Sequence, residues 1–157
     1  MRLYHGSTID IQSVDLAKSK PNKDFGRAFY LSDDRQQALD MAQFRAEFEE
    51  TDPVVNVYEF DETLFQEFRY KRFETYTMEW AHFVYDHRTE PQGLTLHDYD
   101  IIYGPIANDR VGAQIARYKQ GYITFEEFLS RIQYIKGITF QYAFCTQRAI
   151  DKLMKVV

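Results

Sequence analysis

Cysteine is almost missing from this 157-residue chain: Cys145 stands alone. No intramolecular disulfide can form, and no zinc site can be built on cysteine. Nothing therefore asks for an oxidising compartment. No apolar stretch approaches the roughly 18 residues of a membrane span. The opening MRLYHGSTID lacks a charged segment followed by an apolar run, so no signal peptide is expected and the predicted location is cytoplasmic. An excess of positive charge is also lacking. The net charge of -5 argues against a general electrostatic grip on a nucleic acid backbone. The short basic strip Arg69, Lys71 and Arg72 reads as a solvated helix end or an edge strand.

Several chemical signatures are missing too. There is no GxGxxG, no GxxxxGK[ST] and no GxSxG, so neither a Rossmann site, a P-loop nor a serine elbow is indicated. His82, His87 and His97 do not form HExxH or another standard metal spacing. The segment from Gly121 to Phe128 looks like the back half of an EF-hand. With Gly121 as loop position six, the first three ligand positions become Ala116, Tyr118 and Gln120. None carries a carboxylate, so no calcium is expected. Cys145 on an apolar strand reads as structural rather than as a nucleophile.

Aromatic residues, by contrast, are plentiful. With 12 Tyr and 13 Phe, the chain can build a substantial core and still leave rings for a flat ligand. There is no internal repeat or linker, so one domain spanning residues 1–157 is the reading. Strands are predicted at residues 2–5, running into a Gly6-Ser7 turn, and at 28–31, 54–60, 99–103 and 139–144. Helices are predicted at 36–50 after Asp33 and Asp34, at 62–68, 75–88 and 109–119, at 125–136 after Thr124, and from Thr146 to Lys155. In the first of these, Ala38, Met41, Ala42 and Ala46 fit helical spacing. Strands and helices mix without a βαβ rhythm, which points to an α+β fold.

Two segments carry chemistry: Leu3-Tyr4-His5-Gly6-Ser7, and Phe25-Gly26-Arg27-Ala28-Phe29-Tyr30-Leu31-Ser32. With Phe140-Gln141-Tyr142 late in the chain, they resemble the core of the diphtheria-toxin-like and poly(ADP-ribose)-polymerase-like ADP-ribosyltransferases. The chain resembles still more closely a bacterial family catalogued as a domain of unknown function. That family has LYHGS, DFGxGFYLT and YDIVxGPxAND blocks and a QYxF-T-x-x-AL ending. The matching stretches here are residues 3–7, 24–32, 99–109 and 141–150.

The resemblance implies a split antiparallel β core surrounded by helices, with NAD as substrate and no metal. It implies a catalytic set of His5, Tyr30 and Gln141. Gly6, Ser7, Gly26 and Met41 would join His5 and Tyr30 in binding NAD, and Asn108 and Asp109 are candidates for substrate contact. The chemistry suits these residue types. A glycine backbone can pair with the nicotinamide amide, a tyrosine ring can stack on it, and His5 is expected to donate to a ribose hydroxyl. Gln141 stands where the superfamily has glutamate, so it can accept a hydrogen bond but cannot ionise. Glu79 is the spare acid. Ala28 replaces a glycine, and Met41 replaces the second stacking aromatic.

The expected function is mono-ADP-ribosylation of an unknown acceptor. The resemblance also implies a bacterial toxin paired with a small antitoxin. Alternatives are a non-catalytic NAD or ADP-ribose binding module and an RNA 2′-phosphotransferase of the same fold.

Overall fold

A computed structural model describes residues 1–157 as a mixed α+β structure with two sheets and several helices. The first sheet has the order β1-β3-β7, from Arg2–Ser7, Val54–Glu59 and Met154–Lys155. The second has the order β2-β6-β5-β4, from Phe29–Leu31, Phe140–Phe144, Ile101–Pro105 and Tyr70–Arg72. One isolated bridge joins β1 to the chain after β2. Tyr4 N–H donates to the Ser32 carbonyl at 2.7 Å, and Ser32 N–H returns a bond to Tyr4 at 2.8 Å.

The sheets enclose a core containing Leu3, Phe29, Tyr58, Phe60, Ile101 and Phe144. The outer face of the second sheet carries a separate core of Phe25, Trp80, Val84, Ile102, Phe128 and Ala143. Each such fully buried large side chain contributes about 1.5–3 kcal/mol relative to an exposed one.

Five α-helices, α1 Arg35–Glu49, α2 Met78–Thr89, α3 Val111–Lys119, α4 Phe125–Arg131 and α5 Gln147–Ile150, and two short 3-10 helices, Leu16–Lys18 and Glu62–Glu67, complete the chain. The Asp34 side chain caps α1 by accepting from Gln36 N–H. Thr124 and Glu127 form a reciprocal capping box on α4. No helix is long and apolar enough to cross a membrane.

The helix α1 lies directly on β1. Its Ala38, Ala42 and Ala46 are buried, and a Cβ added to Gly6 would lie 2.1 Å from the Ala38 carbonyl oxygen. Gly6 is therefore needed for close helix-strand packing. Met41, Phe44 and Phe48 lie outside this contact and are exposed.

Several expectations are corrected. The strand at the start does not turn at Gly6-Ser7; both residues stay in β1, paired with Val55 and Val54. The basic strip is an edge strand, one of the two readings expected: Lys71 and Arg72 lie in β4 and Arg69 just before it. Strand β4 runs parallel to β5 because the connection between them crosses through α2, so the second sheet is not wholly antiparallel. The strand expected to stop at Tyr103 continues through Gly104 and Pro105, opposite Gln141 and Phe140. The helix α4 ends at Arg131, before Gly137. The last helix stops at Ile150, and the chain then adds β7 to the edge of β3.

Candidate functional site

Strand register decides which side chains meet. Tyr30 pairs with Ala143 and Ile102 pairs with the same Ala143. Side chains alternate along a strand, so Gln141, two residues from Ala143, shares the sheet face of Tyr30. Gly104 sits opposite Gln141. A Cβ there would lie 2.9 Å from the Phe25 ring, so this glycine makes room for Phe25.

His5 reaches this region from the other sheet. Its Nδ1 lies 2.6 Å from the Tyr30 carbonyl oxygen. A carbonyl can only accept, so Nδ1 carries the proton. Burial pushes the His5 imidazole below its usual range; the Tyr30 bond opposes this and Arg45 reinforces it. At neutral pH the ring is thus neutral and its Nε2 presents a lone pair. With Nδ1 committed to the Tyr30 carbonyl, the remaining ring nitrogen is an acceptor rather than the donor expected from the sequence.

Tyr30 is anchored at its hydroxyl, which donates to the Gly26 carbonyl at 2.7 Å and accepts from Phe25 N–H at 3.0 Å. Burial holds the phenol well above its ordinary pKa, with Cys145 and Asp24 adding to the effect. Gly26 has φ +84, and a Cβ there would meet His87 Cδ2 at 2.8 Å. Its glycine is thus required by the turn and by His87. Ala28 is buried in the outer core.

The N–H and C=O of Tyr4 point to the β2 side, and alternation turns those of Gly6 to the same edge, beyond the last bridge. Ser7 is buried, and its hydroxyl accepts only a long bond from Ile9 N–H at 3.4 Å.

Asp24 is the residue that the sequence reading missed. It is 5% exposed. Its Oδ1 takes Nε and a terminal nitrogen of Arg88 at 2.7 and 2.6 Å. Its Oδ2 takes Ala107 N–H and Gln141 Nε2, both at 3.3 Å. The signal available in the sequence was an aspartate leading the Phe25-Gly26 block, but its partners lie far along the chain.

Positive charge gathers nearby. Burial lowers the Lys23 ammonium, and repulsion from Arg88, Arg45 and Lys20 lowers it further, against the pull of Asp24. Lys20, Lys23 and Arg45 have no carboxylate ion pair, unlike Arg88. An acidic chain thus keeps unpaired cations around Lys23, and one of them, Arg45, also acts on His5.

Other candidates lie elsewhere or are already engaged. Asn108 Nδ2 donates to the Arg131 and Gln133 carbonyls, and its Oδ1 accepts Arg110 N–H, so its amide ties α3 to the end of α4. Asp109 is exposed. Glu79 pairs with Lys71 at 2.6 Å, on the edge strand two strands from Gln141. Cys145 is buried, which raises its thiol pKa and keeps it protonated. Met41 is half exposed on α1; one turn earlier Gln37 donates to the Phe140 carbonyl.

No curated protein and no solved structure matches the chain. A family model described as "Protein of unknown function (DUF3990)" matches residues 1–155, and the chain belongs to that family.

Proposed function

We propose that residues 1–157 act as one ADP-ribosyltransferase-like domain, an NAD-dependent mono-ADP-ribosyltransferase. The observation that carries this reading is the approach of three strands: His5 bonds the Tyr30 backbone, and Gln141 shares the sheet face of Tyr30. Three further features fit NAD. The Gly6 peptide edge and the Ser7 hydroxyl suit a carboxamide. The lone pair of His5 Nε2 suits a ribose hydroxyl. The unpaired cations Lys20, Lys23 and Arg45 suit a pyrophosphate.

In the reaction, the bond between nicotinamide and ribose breaks and its electron pair leaves with neutral nicotinamide. The acceptor's nucleophile takes the ribose carbon and loses a proton. The ring of Tyr30 holds the departing group by stacking. The amide oxygen of Gln141 receives no hydrogen bond from the protein. It accepts the 2′-hydroxyl and steadies the oxocarbenium-like centre. A neutral amide supplies no general base, so chain elongation is not expected. A cytoplasmic toxin held by a small antitoxin is the cellular setting that the family resemblance implies.

The test is nicotinamide release from NAD, with cell extract supplying acceptors and mass spectrometry locating ADP-ribose. Gln141→Ala should lower release on the order of 100-fold, the scale of losing one oriented group at a developing charge. Undiminished release in that variant would remove Gln141 from the mechanism. The neutrality of Gln141 favours one other reading, a non-catalytic NAD-binding module. That module would bind NAD and release nicotinamide in no variant.

A further inference from the structure

We propose that Asp24 is a positioning residue of this site: its buried carboxylate holds the Gln141 amide nitrogen and so turns the amide oxygen toward the cleft. The proposal rests on the transferase reading above and adds to it a residue outside the His5, Tyr30 and Gln141 set.

An amide has two ends of opposite character, and nothing in a glutamine itself decides which end faces a ligand. Here the neighbour decides. An ionised carboxylate only accepts, so it can bond the Gln141 nitrogen but would repel the oxygen. The carboxylate is itself held still. Arg88 from α2 engages Oδ1, and the Ala107 N–H shares Oδ2 with Gln141. All four lone-pair sites of Asp24 are in use, which is how a buried charge is tolerated. The Gln141 oxygen is left as the free end, the acceptor that a ribose hydroxyl requires.

The same contact explains why position 141 is not a carboxylate. A glutamate there would put a second carboxylate within hydrogen-bond distance of Asp24. Two such groups cannot both ionise freely. The chain instead keeps its negative charge at Asp24 and a neutral donor at Gln141. The charged and titratable groups around the pair are Arg88 on α2, Lys23 on the preceding loop, and the Tyr30, Tyr76 and Tyr134 phenols.

Three variants test this, using the full chain and NAD. In Asp24→Asn the amide of residue 24 no longer dictates the orientation of Gln141. Its kcat for nicotinamide release should fall on the order of 100-fold, with KM changed far less. The exchange variant Asp24→Asn with Gln141→Glu restores a donor facing an acceptor, and most of the lost kcat should return. A purely structural role for Asp24 predicts no such rescue.

Gln141→Glu alone keeps the Asp24–Arg88 pair and so remains informative if Asp24→Asn fails to fold. Its activity should rise with an ionisation displaced above the usual carboxylate range. An ordinary carboxylate profile would overturn the proposal. So would a Gln141 side-chain amide resonance that is the same in Asp24→Asn as in the parent. That resonance is read without turnover. If the parent releases no nicotinamide, the transferase reading fails. The positioning claim is then decided by that resonance alone: a shift in Asp24→Asn supports it, and an unchanged resonance overturns it.

Discussion

The Nδ1 of His5 and the carbonyl oxygen of Tyr30 lie 2.6 Å apart, across the seam between two sheets. This bond selects one tautomer. Nitrogen NMR at neutral pH should show a proton on Nδ1 and none on Nε2, with the ring titrating below its usual value because it is buried. A proton on Nε2 would overturn the assignment of His5 as an acceptor. His5→Ala should weaken NAD binding by about 1 kcal/mol, the net worth of one hydrogen bond.

Tyr30 separates packing from ligand contact. Tyr30→Phe loses the bonds to the Gly26 carbonyl and the Phe25 N–H. It should cost about 1–3 kcal/mol of stability in urea denaturation, with NAD affinity nearly kept because the ring remains. Tyr30→Ala should weaken NAD binding by a further ~0.5–1.5 kcal/mol through lost stacking. Equal affinity in both variants, measured by calorimetry, would show that the ring does not touch the nucleotide.

Lys23 and Arg45 provide an electrostatic test. Lys23→Ala and Arg45→Ala should each weaken NAD binding by about tenfold, at the low end for a charge-assisted hydrogen bond. The loss should shrink as salt is raised. Affinity that ignores both substitutions and salt would place the phosphates elsewhere.

Acid should weaken the fold in a defined window. His87 is buried; its Nδ1–H donates to the Phe83 carbonyl and its Nε2 accepts Leu96 N–H. His97 donates to the Phe25 carbonyl and accepts Tyr99 N–H. Burial lowers the pKa of both rings, as it does for His5. The unfolded chain therefore takes up protons near pH 6.5 while the folded rings do not. Stability is complete above about pH 6.5 and falls as pH drops toward the lowered folded values. Urea midpoints should be flat from roughly pH 7 to 8 and decline below 6.5. His87→Gln should reduce that slope.

Gly6→Ala should cost about 3 kcal/mol, the upper end of overpacking, because the new methyl meets helix backbone rather than a flexible side chain. Near-parent stability would mean that α1 can move away from β1.

Local signals found the elements they govern. The Asp34 cap, the Thr124 cap and the β-branched run in β3 act within a few residues, and each was readable. Long-range choices were not. The two residues of β7 are too few to show periodicity, and only their pairing with β3 makes them a strand. Met41 fits the helical spacing but is 51% exposed, because alanines alone face β1. Asp24 reads as one polar residue in a loop. Its role appears only when the fold supplies Arg88, 64 residues on, and Gln141, 117 residues on.

The paired hydrogen bonds between Tyr4 and Ser32 have a mechanical consequence. They are the one backbone bridge between the sheet that bears His5 and the sheet that bears Tyr30 and Gln141. A shear of one sheet past the other, by less than one residue's rise, would break this fastening and draw the imidazole off the Tyr30 carbonyl. The two halves of the site would then fall out of alignment in a single step. Deuterium uptake at the Tyr4 and Ser32 amides is the gauge of that shear, and a nucleotide spanning both sheets would slow it at both positions together.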